Sequence, residues 1–297
     1  MKYKEHSFYS LLDTEYARVV YSEWGPSDGD PVVCVHGLTG NGQEFDYLAE
    51  SLSNEGYRVL CLDLPGRHRS DYLKNPEGYA YFFYVQILND LLIHAGIDKP
   101  KSVNWIGTSL GGLLGMRMGG IYNSPIKSLV LNDIGPHVPE ADLKLIDTYL
   151  QQTYEYDSIE ALRNKIKDLR SPYCGPMTEE MWDKVASYSH RQLPNGKYTY
   201  AYDPEIKYIF EKEPTGEYPL WMYWKNIECP VLIIRGGKSN IFPQHVADRM
   251  MAEGPSLKKL TTFVRWDDCG HVPSLMDPEQ IKTVQEWMAK EVAPAPK

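Results

Sequence analysis

One pentapeptide constrains the fold of this chain more than any other feature. Residues 107–111 read Gly-Thr-Ser-Leu-Gly, after the apolar run 103–106 and before a helix start rich in small residues. A strand, a sharp turn and a helix in that order lift a serine above the carboxyl edge of a sheet. Glycines at both ends remove the Cβ atoms that a tight turn would bring into collision. The pattern predicts that Ser109 is a nucleophile at the positive end of a helix; a loop that only packs a helix against a strand is the alternative.

Strand and helix patterns alternate along most of the chain, which is typical of a mostly parallel sheet with helices on its faces. Strands are predicted at 18–24, 32–36, 57–62, 102–107, 128–132, 231–235 and 261–266. Helices are predicted near 43–54, 79–95, 110–122, 244–252 and 278–292. Between the predicted strands 128–132 and 231–235 the alternation stops for about ninety residues, which are rich in tyrosine, tryptophan and proline.

These patterns predict an α/β fold with a mostly parallel, doubly wound sheet. We expect residues 1–135 and 227–297 to form the core, with residues 136–226 inserted between two strands as a helical, aromatic-rich cap. A length of 297 residues is enough for one large core with an insertion.

Charge and composition exclude several classes of function. The net charge is −9, whereas nucleic acids and anionic membranes bind clustered positive charge, so neither is expected as a partner. No apolar run resembles a signal peptide or a membrane span, so a cytoplasmic location is expected. The five cysteines include no CxxC pair, and neither a phosphate loop nor a dinucleotide fingerprint occurs. We therefore expect no metal, no organic cofactor and no disulfide framework.

Two other loops carry residues that could act with Ser109. Residues 36–40 read His-Gly-Leu-Thr-Gly directly after a predicted strand. The backbone amides of Leu38 and Leu110 could there form an oxyanion hole, which stabilises negative charge that develops on a substrate carbonyl. His271 lies between the last strand and the last helix, so it overhangs the same edge of the sheet and is predicted to be the general base. The alternatives are a plain glycine turn at 36–40 and a structural role for His271.

Four marks together resemble the α/β-hydrolase superfamily over residues 19 to about 289. They are His36-Gly37 after a strand, the segment 63–70 after the next strand, the Ser109 turn, and Gly270-His271. The resemblance implies the α/β-hydrolase fold, a serine nucleophile and a catalytic acid after the strand that follows the insertion.

The identity of that acid is the main departure from the family pattern. Asn240 occupies the expected position, and an asparagine cannot stabilise an imidazolium by charge. Asp133 ends the strand 128–132, where some α/β-hydrolases, including certain dehalogenases, carry a relocated acid. Asp267 and Asp268 also stay open as alternatives, although they are too close in sequence to His271 for easy pairing. The candidates are therefore Asp133, which could instead cap a turn, and Asn240 as an uncharged orienting residue.

The resemblance implies cofactor-independent hydrolysis of an ester or related acyl bond in a small molecule, through an acyl-enzyme on Ser109. A lactonase and a hydrolase of C–C bonds are the alternatives within the superfamily, whereas haloalkane dehalogenases and epoxide hydrolases place aspartate where Ser109 stands. A degenerate hydrolase that only binds a small molecule is the alternative from another class. The basic run Arg67-His68-Arg69 is expected to be solvated loop charge rather than a site for a substrate carboxylate. A homo-oligomer is compatible with the sequence.

Overall fold

The computed structural model describes residues 3–97, 99–212 and 220–292. In this part of the chain the strands are β1 (Lys4–Leu12), β2 (Glu15–Trp24), β3 (Pro31–Val35), β4 (Arg58–Asp63), β5 (Val103–Thr108), β6 (Ile126–Asn132), β7 (His190–Gln192), β8 (Tyr198–Tyr200), β9 (Val231–Gly236) and β10 (Thr261–Trp266). The α-helices are α1 (Asp46–Asn54), α2 (Tyr81–His94), α3 (Leu110–Gly119), α4 (Glu140–Leu150), α5 (Ile159–Arg170), α6 (Glu179–Tyr188), α7 (Ile209–Lys212), α8 (Leu220–Asn226), α9 (Gln244–Ala252) and α10 (Pro278–Glu291).

The main sheet has the strand order β1-β2-β4-β3-β5-β6-β9-β10. The strands from β4 to β10 in this order pair in parallel, whereas β2 is antiparallel to both β1 and β4. The central strands β3, β5, β6 and β9 are buried along nearly their whole length, as parallel strands covered on both faces require. The predicted mostly parallel, doubly wound α/β sheet is therefore confirmed.

Helices cover both faces of this sheet. Val32 of β3 shares a buried apolar cluster with residues of α1 and α10, while its neighbour Val33 shares another with residues of α2, α3 and α9. Successive side chains of a strand point to opposite faces, so each central strand contributes to both clusters. The loops at the carboxyl ends of the parallel strands are the ones that carry the candidate site.

The chain between β6 and β9, residues 133–230, forms an inserted segment that contains α4 to α8 and the antiparallel pair β7–β8. Its buried Leu162 and Trp182 belong to the same apolar cluster as Val33 and Leu114 of the core. Through these residues the described part of the segment packs onto the same side of the sheet as Leu114.

The proposed boundaries of the cap, 136–226, and of the core, 1–135 and 227–297, stay predictions. Residues 213–219 and 293–297 of those ranges lie outside the described part of the chain. Among the described residues, no helix has the length and apolar character needed to cross a bilayer.

The predicted strands and their observed counterparts differ by at most three residues at either end. The sequence analysis did not predict β1 or the short β7–β8 pair. β1 is an edge strand, and only Phe8, Ser10 and Leu12 are buried in it. One of these three inward positions is a serine, so the alternating apolar pattern that signals a half-buried strand is weak.

Candidate active site

Ser109 occupies a strained turn between β5 and α3. Its backbone has φ 50° and ψ −112°, a region that residues with a Cβ rarely adopt. The Ser109 amide donates to the carbonyl of Asn132 at 3.1 Å, and the Ser109 carbonyl accepts from the Gly112 amide at 2.9 Å. These bonds hold the turn, and the half-buried serine stands at the carboxyl edge of the sheet.

The two glycines of the pentapeptide are required by close backbone approach. A Cβ on Gly111 would lie 2.0 Å from the carbonyl oxygen of Val35, and one on Gly107 would lie 2.3 Å from the carbonyl oxygen of Gly111. Real Cβ atoms do not approach backbone atoms so closely. The turn can therefore carry Ser109 only with glycine at both positions.

Three side chains from separate loops form a continuous hydrogen-bonded path. His271 Nε2 lies 3.1 Å from Ser109 Oγ, and His271 Nδ1 lies 2.8 Å from Asp133 Oδ2. Asp133 is completely buried, and its Oδ1 accepts from the Gly236 amide at 2.7 Å. A carboxylate only accepts hydrogen bonds, so Nδ1 carries the proton and Nε2 presents a lone pair to the serine hydroxyl. This is the geometry of an acid, a base and a nucleophile.

Asn240 lies elsewhere. Its side chain is exposed in the loop after β9, and no hydrogen bond among the described residues joins it to His271. The buried Arg235 holds this loop by donating from Nε to the carbonyl of Phe242 at 2.8 Å. The structure thus brings Asp133, and not Asn240, to the imidazole. Which residue orients the base during a reaction stays a prediction, and the contact seen here favours Asp133.

The loop of residues 36–40, called here the oxyanion loop, approaches Ser109 from the end of β3. A Cβ on Gly37 would lie 3.6 Å from Ser109 Cβ, so the two backbones are neighbours. Leu110 is the first residue of α3, and the first amides of a helix have no partner inside it. In the described part of the chain, neither the Leu38 amide nor the Leu110 amide donates to another protein group. Both amides are therefore free to bind an oxyanion.

His36 supports the oxyanion loop rather than taking part in proton transfer. Its Nδ1 donates to the Gly37 carbonyl at 2.6 Å, and its Nε2 accepts from the Leu64 amide at 3.0 Å. Burial lowers its pKa to about 4, and the neighbouring positive charge of Arg67 acts in the same direction. At neutral pH the ring is uncharged and fixes the entry of the loop.

The expectation that Arg67 and Arg69 are solvated loop charges is wrong. Arg67 is fully buried, and its Nε donates to the Leu38 carbonyl at 3.0 Å while Nη1 donates to the Tyr84 hydroxyl at 2.7 Å. Arg69 pairs with the buried Asp63 at 2.7 Å. The burial of Arg67 was not recognisable from the sequence, because it depends on contacts with distant elements. Arg67 thereby fixes the oxyanion loop from behind.

Asn132 is a positioning residue that the sequence analysis missed. It is buried at the end of β6, and its Nδ2 donates to Thr108 Oγ1 at 3.1 Å and to the carbonyl of Pro273 at 3.0 Å. It joins the strand before Ser109 to the loop that carries His271. A polar residue at the end of an apolar strand, directly before Asp133, was the available signal.

The arrangement can perform acyl transfer, since it combines a nucleophile, a base with its orienting carboxylate, and two free amides. Within the described residues, no group of three or more histidine, cysteine, aspartate or glutamate side chains is arranged to hold a metal ion. The five cysteines are all buried and unpaired.

Comparisons with known proteins agree with this geometry. Residues 30–278 match the family model described as the alpha/beta hydrolase fold. The 3-hydroxybutyrate-oligomer hydrolase of Cupriavidus necator is 34% identical over 279 residues, which are 91% of this chain and 92% of that protein. A Drosophila melanogaster protein named "Probable serine hydrolase" is 30% identical over 76% of this chain and 71% of its own length. The crystal structure of an alpha/beta hydrolase from Novosphingobium aromaticivorans has a TM-score of 0.82 at 28% identity, covering 97% of this chain and 98% of that one.

Proposed function

This chain belongs to the alpha/beta hydrolase fold family and is a hydrolase, and we propose that it cleaves carboxylic esters through Ser109, with short oligomers of a 3-hydroxy acid as the substrate class. The observation that carries the proposal is the hydrogen-bonded path from Asp133 through His271 to Ser109, with contacts of 2.8 and 3.1 Å. The substrate class rests on the similarity to the C. necator enzyme, which extends over nearly the whole of both chains.

In the acylation step, Ser109 Oγ attacks the ester carbonyl carbon while His271 Nε2 takes the hydroxyl proton. The carbonyl oxygen becomes an oxyanion, which accepts hydrogen bonds from the amides of Leu38 and Leu110. Each such donor is worth about 3 to 4 kcal/mol of transition-state stabilisation. The C–O bond to the alcohol then breaks, and the imidazolium returns its proton to the leaving alkoxide. The products are a free alcohol and an acyl ester on Ser109.

In the deacylation step, His271 takes a proton from a water molecule, and the hydroxide oxygen attacks the acyl carbon. The bond to Ser109 Oγ breaks, and His271 returns the proton to that oxygen. The acid is released and the enzyme regains its starting state. Through both steps the negative charge of the buried Asp133 stabilises the imidazolium and holds the ring in the required tautomer.

A fluorophosphonate probe with peptide mass mapping tests the nucleophile directly. We expect one stoichiometric adduct on Ser109, none in Ser109→Ala, and strongly slowed labelling in His271→Ala. Protein that has not been treated with the probe should hydrolyse linear 3-hydroxybutyrate dimers and trimers faster than a simple lactone or a β-diketone, the comparison compounds for lactone and C–C cleavage. A folded protein that is not labelled and cleaves none of them would point instead to a degenerate hydrolase that only binds its ligand.

A further inference from the structure

One arginine of the inserted segment lies between the two loops that flank Ser109. Arg170 is the last residue of α5, and its carbonyl accepts from the Tyr173 amide at 2.9 Å. The Tyr173 carbonyl in turn accepts from the amide of Gly270 at 2.7 Å. Gly270 directly precedes His271, so the end of α5 is tied to the loop of the base.

The side chain of Arg170 reaches the oxyanion loop on the other side. Its Nη1 donates to Glu44 Oε1 at 2.9 Å. The Glu44 carboxylate lies against Gly40, because a Cβ there would be 2.2 Å from Glu44 Oε2. The Gly40 amide donates to the Gly37 carbonyl at 3.2 Å and closes the turn that contains Leu38. The guanidinium is thus fixed where the inserted segment meets the oxyanion loop.

This guanidinium keeps donors that the protein does not use. In the part of the chain that the structure describes, Arg170 Nε and Nη2 donate to no protein group. The Arg170 side chain is 39% exposed, whereas that of its partner Glu44 is only 19% exposed. Glu44 therefore orients one edge of the fork and leaves the other N–H groups accessible to a ligand.

We propose that Arg170 forms a carboxylate subsite of the active site, with Glu44 fixing the guanidinium. The inference rests on the proposed ester hydrolysis and names the feature that the enzyme reads in its substrate. A linear oligomer of a 3-hydroxy acid has one free carboxylate, on the alcohol side of its terminal ester bond. Arginine binds a carboxylate with two parallel hydrogen bonds. In a protein with a net charge of −9, a guanidinium at the site would offset part of the repulsion of an anionic substrate.

The test compares two substrates that differ only in that charge, the linear 3-hydroxybutyrate dimer and its methyl ester. Arg170→Met should lower kcat/KM for the acid about 30- to 100-fold, chiefly through KM, and change that for the methyl ester less than threefold. Arg170→Lys should keep part of the preference, because a point charge replaces the fork.

Arg163→Met is the matched control. Arg163 lies in the same helix α5 but pairs with Glu179 and Asp183 on the outside of the inserted segment. This variant should leave both substrates unchanged. If Arg170→Met and Arg170→Lys instead lower the rates for the acid and the methyl ester equally, the pair of Arg170 and Glu44 only fastens the inserted segment, and the proposal is overturned.

Calorimetric binding to the Ser109→Ala protein separates this inference from the proposed function. The acid dimer should bind at least tenfold more tightly than the methyl ester, and the difference should disappear in Ser109→Ala/Arg170→Met. Such a result would support the subsite even in a protein that hydrolyses neither compound. Equal binding of the two compounds to Ser109→Ala would overturn it, whatever the hydrolysis rates.

Discussion

Replacing Asp133 by asparagine should nearly abolish turnover while leaving the fold intact. Asp133 Oδ1 accepts from the Gly236 amide at 2.7 Å, and Oδ2 accepts from His271 Nδ1 at 2.8 Å. An asparagine at 133 must keep its oxygen on Gly236, because an orphaned buried amide costs about 1 to 3 kcal/mol. Its Nδ2 group then donates to His271 Nδ1 and moves the ring proton to Nε2. In that tautomer the imidazole cannot accept the proton of Ser109.

Coulomb's law gives the magnitude of the loss independently. A carboxylate and an imidazolium in contact at 2.8 Å interact by about 6 kcal/mol at an effective dielectric constant of about 20. The His271 side chain is 22% exposed, so water screens part of this energy. A loss of about 4 to 5.5 kcal/mol from transition-state stabilisation corresponds to a fall in kcat of about 10³- to 10⁴-fold. The corresponding change in serine proteases costs about 10⁴-fold.

The assay is kcat for p-nitrophenyl butyrate, with thermal unfolding as the check on folding. Asn240→Ala is the control, because its exposed side chain should change kcat less than twofold. Asn240→Asp should give no gain, since the new carboxylate would point into solvent. The reasoning fails if Asp133→Asn stays within tenfold of the native kcat, or if Asn240→Ala loses more activity than Asp133→Asn.

Two further predictions concern stability. In the folded protein the pKa of His36 is lowered from 6.5 to about 4, so as the pH falls this residue takes up a proton in the unfolded chain first. The contribution of His36 should therefore lower the free energy of unfolding by about 2 kcal/mol between pH 7 and pH 5. Denaturant titrations should show that His36→Asn lacks this part of the pH dependence; an unchanged slope would refute the assignment. Gly111→Ala should lower the free energy of unfolding by about 3 kcal/mol or more, since its Cβ would lie 2.0 Å from the Val35 carbonyl oxygen. Gly119→Ala in the same helix is the control: its Cβ would meet nothing closer than 3.6 Å, so the loss should be less than about 1 kcal/mol. Thermal unfolding distinguishes the two, and equal stability would contradict the steric argument.

The central part of the fold was predictable because its strands are buried on both faces. β5 and β9 are buried over six residues each, and their apolar residues, at 103, 105 and 106 in β5 and at 231–234 in β9, form short runs between turn signals. Edge elements carry less of this signal, as β1 shows with a serine at one of its three buried positions. The burial of Arg67 was not predictable either. A basic residue in a loop is usually solvated, and only the positions of Leu38 and Tyr84 in space reveal its partners.

The proximity of Ser109 and His271 could be predicted from the order of strands and helices, because loops at the carboxyl ends of parallel strands converge on one edge of the sheet. The acid was ambiguous for the same reason. β6 and β9 are neighbours, with Asn132 paired to Ile234, so an acid after either strand reaches the same region. Choosing between Asp133 and Asn240 required the backbone path after each strand, which residue types do not encode.

That backbone path explains how Asp133, directly after β6, reaches the imidazole of His271. A Cβ on Gly236 would lie 2.3 Å from the Gly270 carbonyl oxygen, and one on Gly237 would lie 2.7 Å from Asp267 Cα. The two glycines therefore let the loop of His271 settle onto the end of β9, where a residue with a side chain would hold it away. In that position the Gly236 amide is left to bind Asp133, and the imidazole lies over β6 instead of over the loop after β9. The glycine pair after β9 and the aspartate after β6 are thus two parts of one arrangement, in which Asp133 contacts the imidazole and Asn240 is exposed.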